Sequence, residues 1–326
     1  WERPNIESEI LSVLKDIPIS QISYGGSDNC FTLSLPTYNK NKAIDSLSKH
    51  FFSKTFDDLH NQLNTRRYEN LIYWRSAIAT CLAQGYIFNE KDITITNQSP
   101  DKFDLLTQRF PAIHTSTDNK QATADADIIV LAVNASNVDN VLSSLRFSSE
   151  QILVSVVAGI DIIHLARLVK REIPIFRAIP NMAISERSSL TLISSRGATE
   201  EQKELISRIF EEGGKCMFLD EQKLDVASTF TSSGVAFALK YVQAAMQAGI
   251  ELGISPQDAM LMAAYGLEGA TELLLNHPTH PCIEIDRITT PGGVTIKGIN
   301  ELDKGGFVSS IINAIKVCAT TKNSEE

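Results

Sequence analysis

The chain has 326 residues and a formal net charge of -9, with 43% hydrophobic and 21% charged residues, the composition of a soluble globular protein of two or three domains. No basic cluster accompanies the acidic balance, which argues against nucleic acid and anionic membranes as partners. The most apolar region, 234–253, is interrupted by Lys240, Gln243, Gln247 and Glu251 and does not read as a membrane span, while five scattered cysteines without a C-x-x-C pair give no zinc pattern and fit reduced thiols in the cytoplasm.

Ile6, Ile10, Val13, Leu14 and Ile17 recur at helical spacing and predict an amphipathic helix that Pro18 ends. Ile19 to Tyr24 and Phe31 to Leu35 alternate apolar and polar residues with period two, the pattern of two strands. Ala43, Ile44, Leu47, Phe51 and Phe52 share one face of a second helix, so the first fifty or so residues form a small α+β unit. A polar stretch from Ser53 to Asn70 reads as a linker.

A different rhythm follows. Leu71 to Trp74 is compatible with a short strand, and a helix from about Arg75 stops at Gly85. Asp92 to Thr96 is a predicted strand. The near-continuous apolar run Ala126 to Val133 has the signature of a strand covered on both faces. Gln151 to Val157 and Ile173 to Ile179 supply further strands, with helical stretches between, which together predict a doubly wound parallel sheet. Beyond about Asp220 the chain is Ala-rich and helical and reads as a bundle.

The stretch with the most chemical content is "ITTPGGVTI", 288–296. Pro291 fixes one φ, Gly292 and Gly293 permit a tight turn with outward N–H groups, and Thr289, Thr290 and Thr295 surround it with hydroxyls. Such a loop suits a small carboxylate, with a hydroxyl to donate or relay a proton. The same residues also read as a helix-linking turn before an N-capping threonine. His277 and His280 in "NHPTHP" lack a third ligand and carry no metal reading. Glu221 and Asp225, at a helix start, read as solvated or capping groups.

The segment "ITTPGGVTIKGINELDKGGFVSSIINAIKVC" resembles the C-terminal signature of pyrroline-5-carboxylate reductases. "FTSSGVAFALKYVQAAMQAGIELGIS", "FRAIPNMAI", "DIIVLAVNAS" and "SVVAGI" resemble further motifs of that family in the same order, over about Ser76 to Cys318. The resemblance implies a Rossmann-like α/β domain at 67–222 and a helical substrate and dimerisation domain at 223–326. It also implies reduction of 1-pyrroline-5-carboxylate to L-proline with NADP or NAD as the cofactor, in a cytoplasmic homodimer or larger homo-oligomer. Residue by residue, the backbone at Thr290, Gly292 and Gly293 would take the substrate carboxylate with Thr289 beside it, and Thr295 would serve the ring nitrogen. Asn97, Gln98, Ser99, Asn119, Ala132, Val133, Asn134, Ala158, Gly159 and Asn181 would line the cofactor.

The chain departs from the family at several places: Asn134-Ala135 stands where the family has Lys-Pro, Arg287-Ile288 where it often has Asn, the Asn97–Ser99 turn lacks an arginine for a 2′-phosphate, and the glycine loop is missing. The family carries a glycine loop directly before the helix that resembles 76–84, where backbone meets pyrophosphate. Here that place holds "YENLIYWR", 68–75, without glycine, which predicts weakened dinucleotide binding. Upstream, "VLKDIPISQISYGGSDNCFTLSLPTYNKNKAIDSLSKHFF" resembles part of the regulatory ACT region of aspartokinases, so residues 1–66 are expected to form a partial ACT-like segment and linker. The alternative reading is a non-catalytic, oligomeric amino-acid-binding protein that uses this segment as its sensor.

Overall fold

The computed structural model describes residues 21–24, 31–34, 78–85 and 87–322, and the chain divides into two compact units, 1–74 and 75–326. In the first unit, β1 (Gln21–Tyr24) pairs antiparallel with β2 (Phe31–Ser34), with Gln21 opposite Ser34 and Tyr24 opposite Phe31. These are the two period-two runs of the sequence. The expected helices around 6–17 and 43–52, and the strand proposed at 71–74, lie outside the described residues.

The second unit opens with helix α1 (78–84). It continues through β3 (Thr94–Thr96), α2 (Asp104–Arg109), β4 (His114–Ser116), α3 (Asn119–Ala124) and β5 (Ile128–Leu131). Then come α4 (Val138–Ser144), β6 (Ile152–Ser155), α5 (Ile162–Val169) and β7 (Ile175–Ile179). β3 and β4 form a parallel pair, and β5, β6 and β7 run parallel in a five-stranded sheet. α2, α4 and α5 each return the chain for the next parallel pairing, as the alternation of patterns requires. Local chemistry sets the helix starts. The Asp118 carboxylate accepts the Lys120 and Gln121 N–H groups at α3, and Asp161 accepts that of His164 at α5.

β8 (Ser189–Arg196) and β9 (Gly214–Phe218) complete the sheet, joined by α6 (Glu200–Glu211) with its Thr199–Gln202 capping box. The order is β5-β6-β7-β8-β9, and β8 lies antiparallel to β7. The expected all-parallel sheet is therefore mixed at this one step. Only a short 3₁₀ turn, Met182–Glu186, links the two strands. A parallel crossover needs a dozen or more residues, so the chain can only double back. β8 and β9 then pair in parallel across α6. Their junction requires a glycine: Gly214 has φ +142°, and a Cβ there would lie 2.1 Å from the Ser189 carbonyl oxygen.

The main core packs Leu131, Val138, Leu142, Leu153, Leu165 and Ile175 between sheet and helices, all nearly inaccessible to solvent. A smaller cluster of Leu106, Phe110 and Ile113 takes Ala79 and Ala83 from α1 and Ile93 and Ile95 from the β3 region. At the far end of α1, the Arg187 guanidinium donates to the Gln84 carbonyl at 2.6 Å. Among the described residues, the β3–β4 pair makes no ladder with the five-stranded sheet. In a doubly wound sheet the position between them belongs to the first strand.

The remainder is helical, as expected: α7 (Glu221–Ser228), a π-helical turn (Thr229–Ser233), α8 (Gly234–Glu251), α9 (Pro256–Asn276), α10 (Pro281–Ile288), α11 (Val294–Lys304) and α12 (Phe307–Lys322). α7 packs on β7 and β8, α8 on α9, and α12 against the π-turn.

Candidate active site

The turn before α11 is built by its sequence. The Gly293 N–H donates to the Thr290 carbonyl at 2.9 Å, closing a four-residue turn across Pro291 and Gly292. Gly292 has φ +72°, the left-handed conformation that a turn of type II demands at its third residue. Gly293 matters for a second reason: a Cβ there would come within 2.6 Å of the Thr290 hydroxyl oxygen. Gly293 is also the N-cap of α11, and no side chain caps that helix start. The first N–H groups of a helix have no partner within it, so an uncapped start presents donors and a positive dipole end to an anion.

Two of the expected substrate residues make bonds within the chain. The Gly293 N–H, part of the backbone expected to take a carboxylate, closes the turn. The Thr289 hydroxyl donates to the carbonyls of Ile285 and Asp286, which makes it a terminator of α10. Thr290 and Gly292 remain exposed, and Thr295, half-buried in the first turn of α11, stands beside the open donors. The capping threonine of the plainer reading is not found, because Gly293 holds the N-cap position.

The expected cofactor residues follow the C-terminal ends of parallel strands, where open α/β sheets bind their ligands. After β3, the Asn97 side chain accepts the Ser99 N–H at 3.1 Å, fixing Asn97, Gln98 and Ser99 as a tight polar turn. Asn119 is the first residue of α3 after β4. Ala132, Val133 and Asn134 follow β5, and Asn134 starts the 3₁₀ turn Ala135–Asn137. Ala158 and Gly159 follow β6 and are exposed; Gly159 has φ +76° and open space where a Cβ would stand.

Asn181 differs from the others. It is only 5% exposed. Its side-chain oxygen accepts the Ala183 N–H at 2.9 Å, its amide donates to the Thr231 carbonyl at 2.8 Å, and its own N–H donates to the Ser189 hydroxyl at 3.0 Å. Its oxygen and one amide hydrogen are thus engaged inside the protein.

Sequence reasoning passed over one buried charge cluster. Arg177, in the middle of β7 and 2% exposed, donates to Glu221 at 3.0 Å and to Asp225 at 3.2 Å, both on α7. Glu221 also accepts the Ile162 N–H at 2.7 Å, so it caps α5 from another helix. The signal was present: an arginine inside "IFRAI" needs a counter-ion, because burying an unpaired charge is costly. Among the described residues no group of three or more His, Cys, Asp or Glu could hold a metal ion.

The C-terminal helices expose what a core would bury. The 18-residue α8 has no buried residue and the 21-residue α9 has only Ala259. Leu239 (63%), Leu252 (81%), Tyr265 (68%) and Leu275 (77%) stand open to solvent in the single chain. Among the described residues no helix is long and apolar enough to cross a membrane.

Two family models match the chain: pyrroline-5-carboxylate reductase dimerisation over residues 221–325, and NADP oxidoreductase, coenzyme F420-dependent, over residues 75–159. Pyrroline-5-carboxylate reductase 2 of Dictyostelium discoideum is 31% identical over 262 residues, covering 75% of this chain and 87% of that protein. Reductase 1 of the same organism is 31% identical over 74% of this chain, which spans about half, 46%, of its length. The Mycobacterium tuberculosis enzyme is 29% identical over 72% of this chain and 88% of its own. Among solved structures, the pyrroline-5-carboxylate reductase of Coxiella burnetii matches with a TM-score of 0.69 at 23% identity, over 78% of this chain and 94% of that one. The Plasmodium falciparum enzyme, solved with NADP bound, gives 0.69 at 21% identity, over 77% and 94%. The chain thus shares the fold of these structures, and by its sequence it belongs to the pyrroline-5-carboxylate reductase family.

Proposed function

We propose that the chain reduces 1-pyrroline-5-carboxylate to L-proline with NADPH or NADH, as a homodimer or larger homo-oligomer in the cytoplasm. The observation that carries this reading is the Thr290–Gly293 turn at the uncapped start of α11, with the Thr295 hydroxyl beside it. The substrate is a small ring with one carboxylate and one imine nitrogen. The free N–H donors of the first turn of α11 would bind the carboxylate. Anchoring that group fixes the rest of the ring, which removes the orientation cost of the reaction. The Thr295 hydroxyl, one residue into the helix from its first position, would hold or donate the proton that the ring nitrogen gains.

The residues at the strand ends fit the two ends of a dinucleotide. The Asn97–Ser99 turn would hold the adenosine ribose, and the Val133–Asn134 and Ala158–Gly159 backbones would hold the nicotinamide end, where Gly159 leaves its surface open. Bound NAD(P)H supplies the hydride that the imine carbon takes up. The pyrophosphate between those ends has no glycine loop to meet it in residues 68–75, so affinity must come from the flanking turns. The exposed apolar residues of α8 and α9 support burial against a second copy of the chain.

The test is steady-state consumption of NADPH with pyrroline-5-carboxylate by wild type, Thr295→Ala and Thr295→Ser. The expected result is a fall of about 10²-fold in kcat for the alanine variant and substantial retention by serine. Equal activity of all three would remove Thr295 from the reaction.

A further inference from the structure

We infer that Asn181 is a positioning residue that fixes the substrate-side helices against the end of the cofactor-side sheet. β7 and the residues just past its end present two polar side chains to one continuous helical run. Arg177 grips Glu221 and Asp225 of α7, and four residues later Asn181 grips the carbonyl of Thr231 in the π-turn. The spacings agree. Four residues of extended chain span roughly 13 Å, and the ten residues from Glu221 to Thr231 span roughly 15 Å of helix. α7 therefore runs lengthwise along β7 and is pinned at both ends.

The two pins differ in purpose. Arg177 neutralises charge and holds α7 to the middle of the strand. Asn181 acts where the helix changes geometry. The Gly234 N–H reaches back to the Thr229 carbonyl, a five-residue step, and π-turns of this kind widen a helix locally. Thr229 is fully buried there with its hydroxyl unpartnered, as is the Thr231 hydroxyl. A π-turn with two unsatisfied hydroxyls is not the lowest-energy form of a helix left to itself, so it needs an outside contact to persist. Asn181 supplies one, and α12 packs over the same turn. Its own orientation is fixed in turn by Ala183 and Ser189. From this turn α8 sets out, so the clamp sets where the helical domain starts relative to the strand ends that carry the proposed nicotinamide site.

For its catalytic consequence this inference rests on the reductase reading; the clamp itself does not. Asn181→Asp is the variant of choice, because an aspartate keeps an acceptor for the Ala183 N–H while losing the donor to Thr231. Two measurements are made on the full chain. Hydrogen exchange of 231–235 should speed up by about tenfold in the variant, the loss of one buried hydrogen bond. With NADPH and pyrroline-5-carboxylate, kcat should fall about tenfold while KM for each substrate changes less than about twofold, the signature of misplacement in the reacting complex. Unchanged exchange overturns the clamp. Faster exchange with kcat per folded molecule unchanged overturns the positioning role and leaves Asn181 purely structural. Faster exchange in the variant, with no turnover by the wild type, sinks the reductase reading and, with it, the positioning role, while the clamp stands.

Discussion

Glu221 accepts two hydrogen bonds with one oxygen, from the Arg177 guanidinium at 3.0 Å and from the Ile162 N–H at 2.7 Å. One carboxylate on the first turn of α7 thus secures a strand, a helix start and the entry to the C-terminal domain. The arrangement explains why a charged residue is tolerated in the centre of β7.

The pair is asymmetric, and mutation should expose that. The Arg177 side chain is 3% exposed, whereas Glu221 and Asp225 are 26% and 40% exposed. Removing Arg177 lets both carboxylates turn to water, and Met can fill the space, so Arg177→Met should cost about 1–2 kcal/mol. Removing Glu221 strands a buried guanidinium with half its charge partners and leaves the Ile162 N–H without an acceptor, so Glu221→Ala should cost about 3 kcal/mol. Urea unfolding of both variants checks the order. A larger loss for Arg177→Met would contradict it.

Gly214 should tolerate no side chain. Its φ of +142° and the 2.1 Å approach of a Cβ to the Ser189 carbonyl oxygen leave no room in the first rung of the β8–β9 ladder. Gly214→Ala is expected to lose at least ~3 kcal/mol, with poor soluble yield or a sharply lowered Tm. A Tm near that of wild type would mean that the rung is not formed as described.

Glu284 ties the 277–280 loop to α10. The Thr279 hydroxyl, and after it Arg287, hold its carboxyl below the ordinary value of 4.5. A carboxyl depressed on folding contributes stability that is complete above its unfolded pKa and is lost as the pH falls through the lower, folded value. Wild type should therefore exceed Glu284→Gln in urea midpoint near neutrality, and the gap should close as the pH falls through the lowered, folded value. A gap that stays constant or widens in acid would refute the assignment.

Much of this architecture is legible in the residues. β5 announces itself as an uninterrupted apolar run, and Thr-Pro-Gly-Gly can hardly be anything but a tight turn. The missed elements had weaker local signals. β4 is three residues long, β9 is a largely exposed edge strand, and β8 is buried on both faces, at Thr191 and Ile193 on one and Leu192 and Ser194 on the other, so its alternation is masked. The antiparallel step from β7 to β8 follows from a short connection, which periodicity does not report. At the site, residue type identified the turn, but which N–H groups it leaves free depends on the fold. Gly293 spends its own on Thr290, and that is a three-dimensional fact. Glu221 and Asp225 looked solvated because their partner is 44 positions upstream of the nearer one.

A competent reductase has to hold its dinucleotide although residues 68–75 offer no glycine to a pyrophosphate. The most direct measurement is NADPH consumption by the purified, folded chain on adding pyrroline-5-carboxylate, with L-proline quantified as the product. The account requires one proline formed per NADPH consumed, with saturation in both substrates. A folded preparation that forms no proline at any cofactor concentration would contradict it.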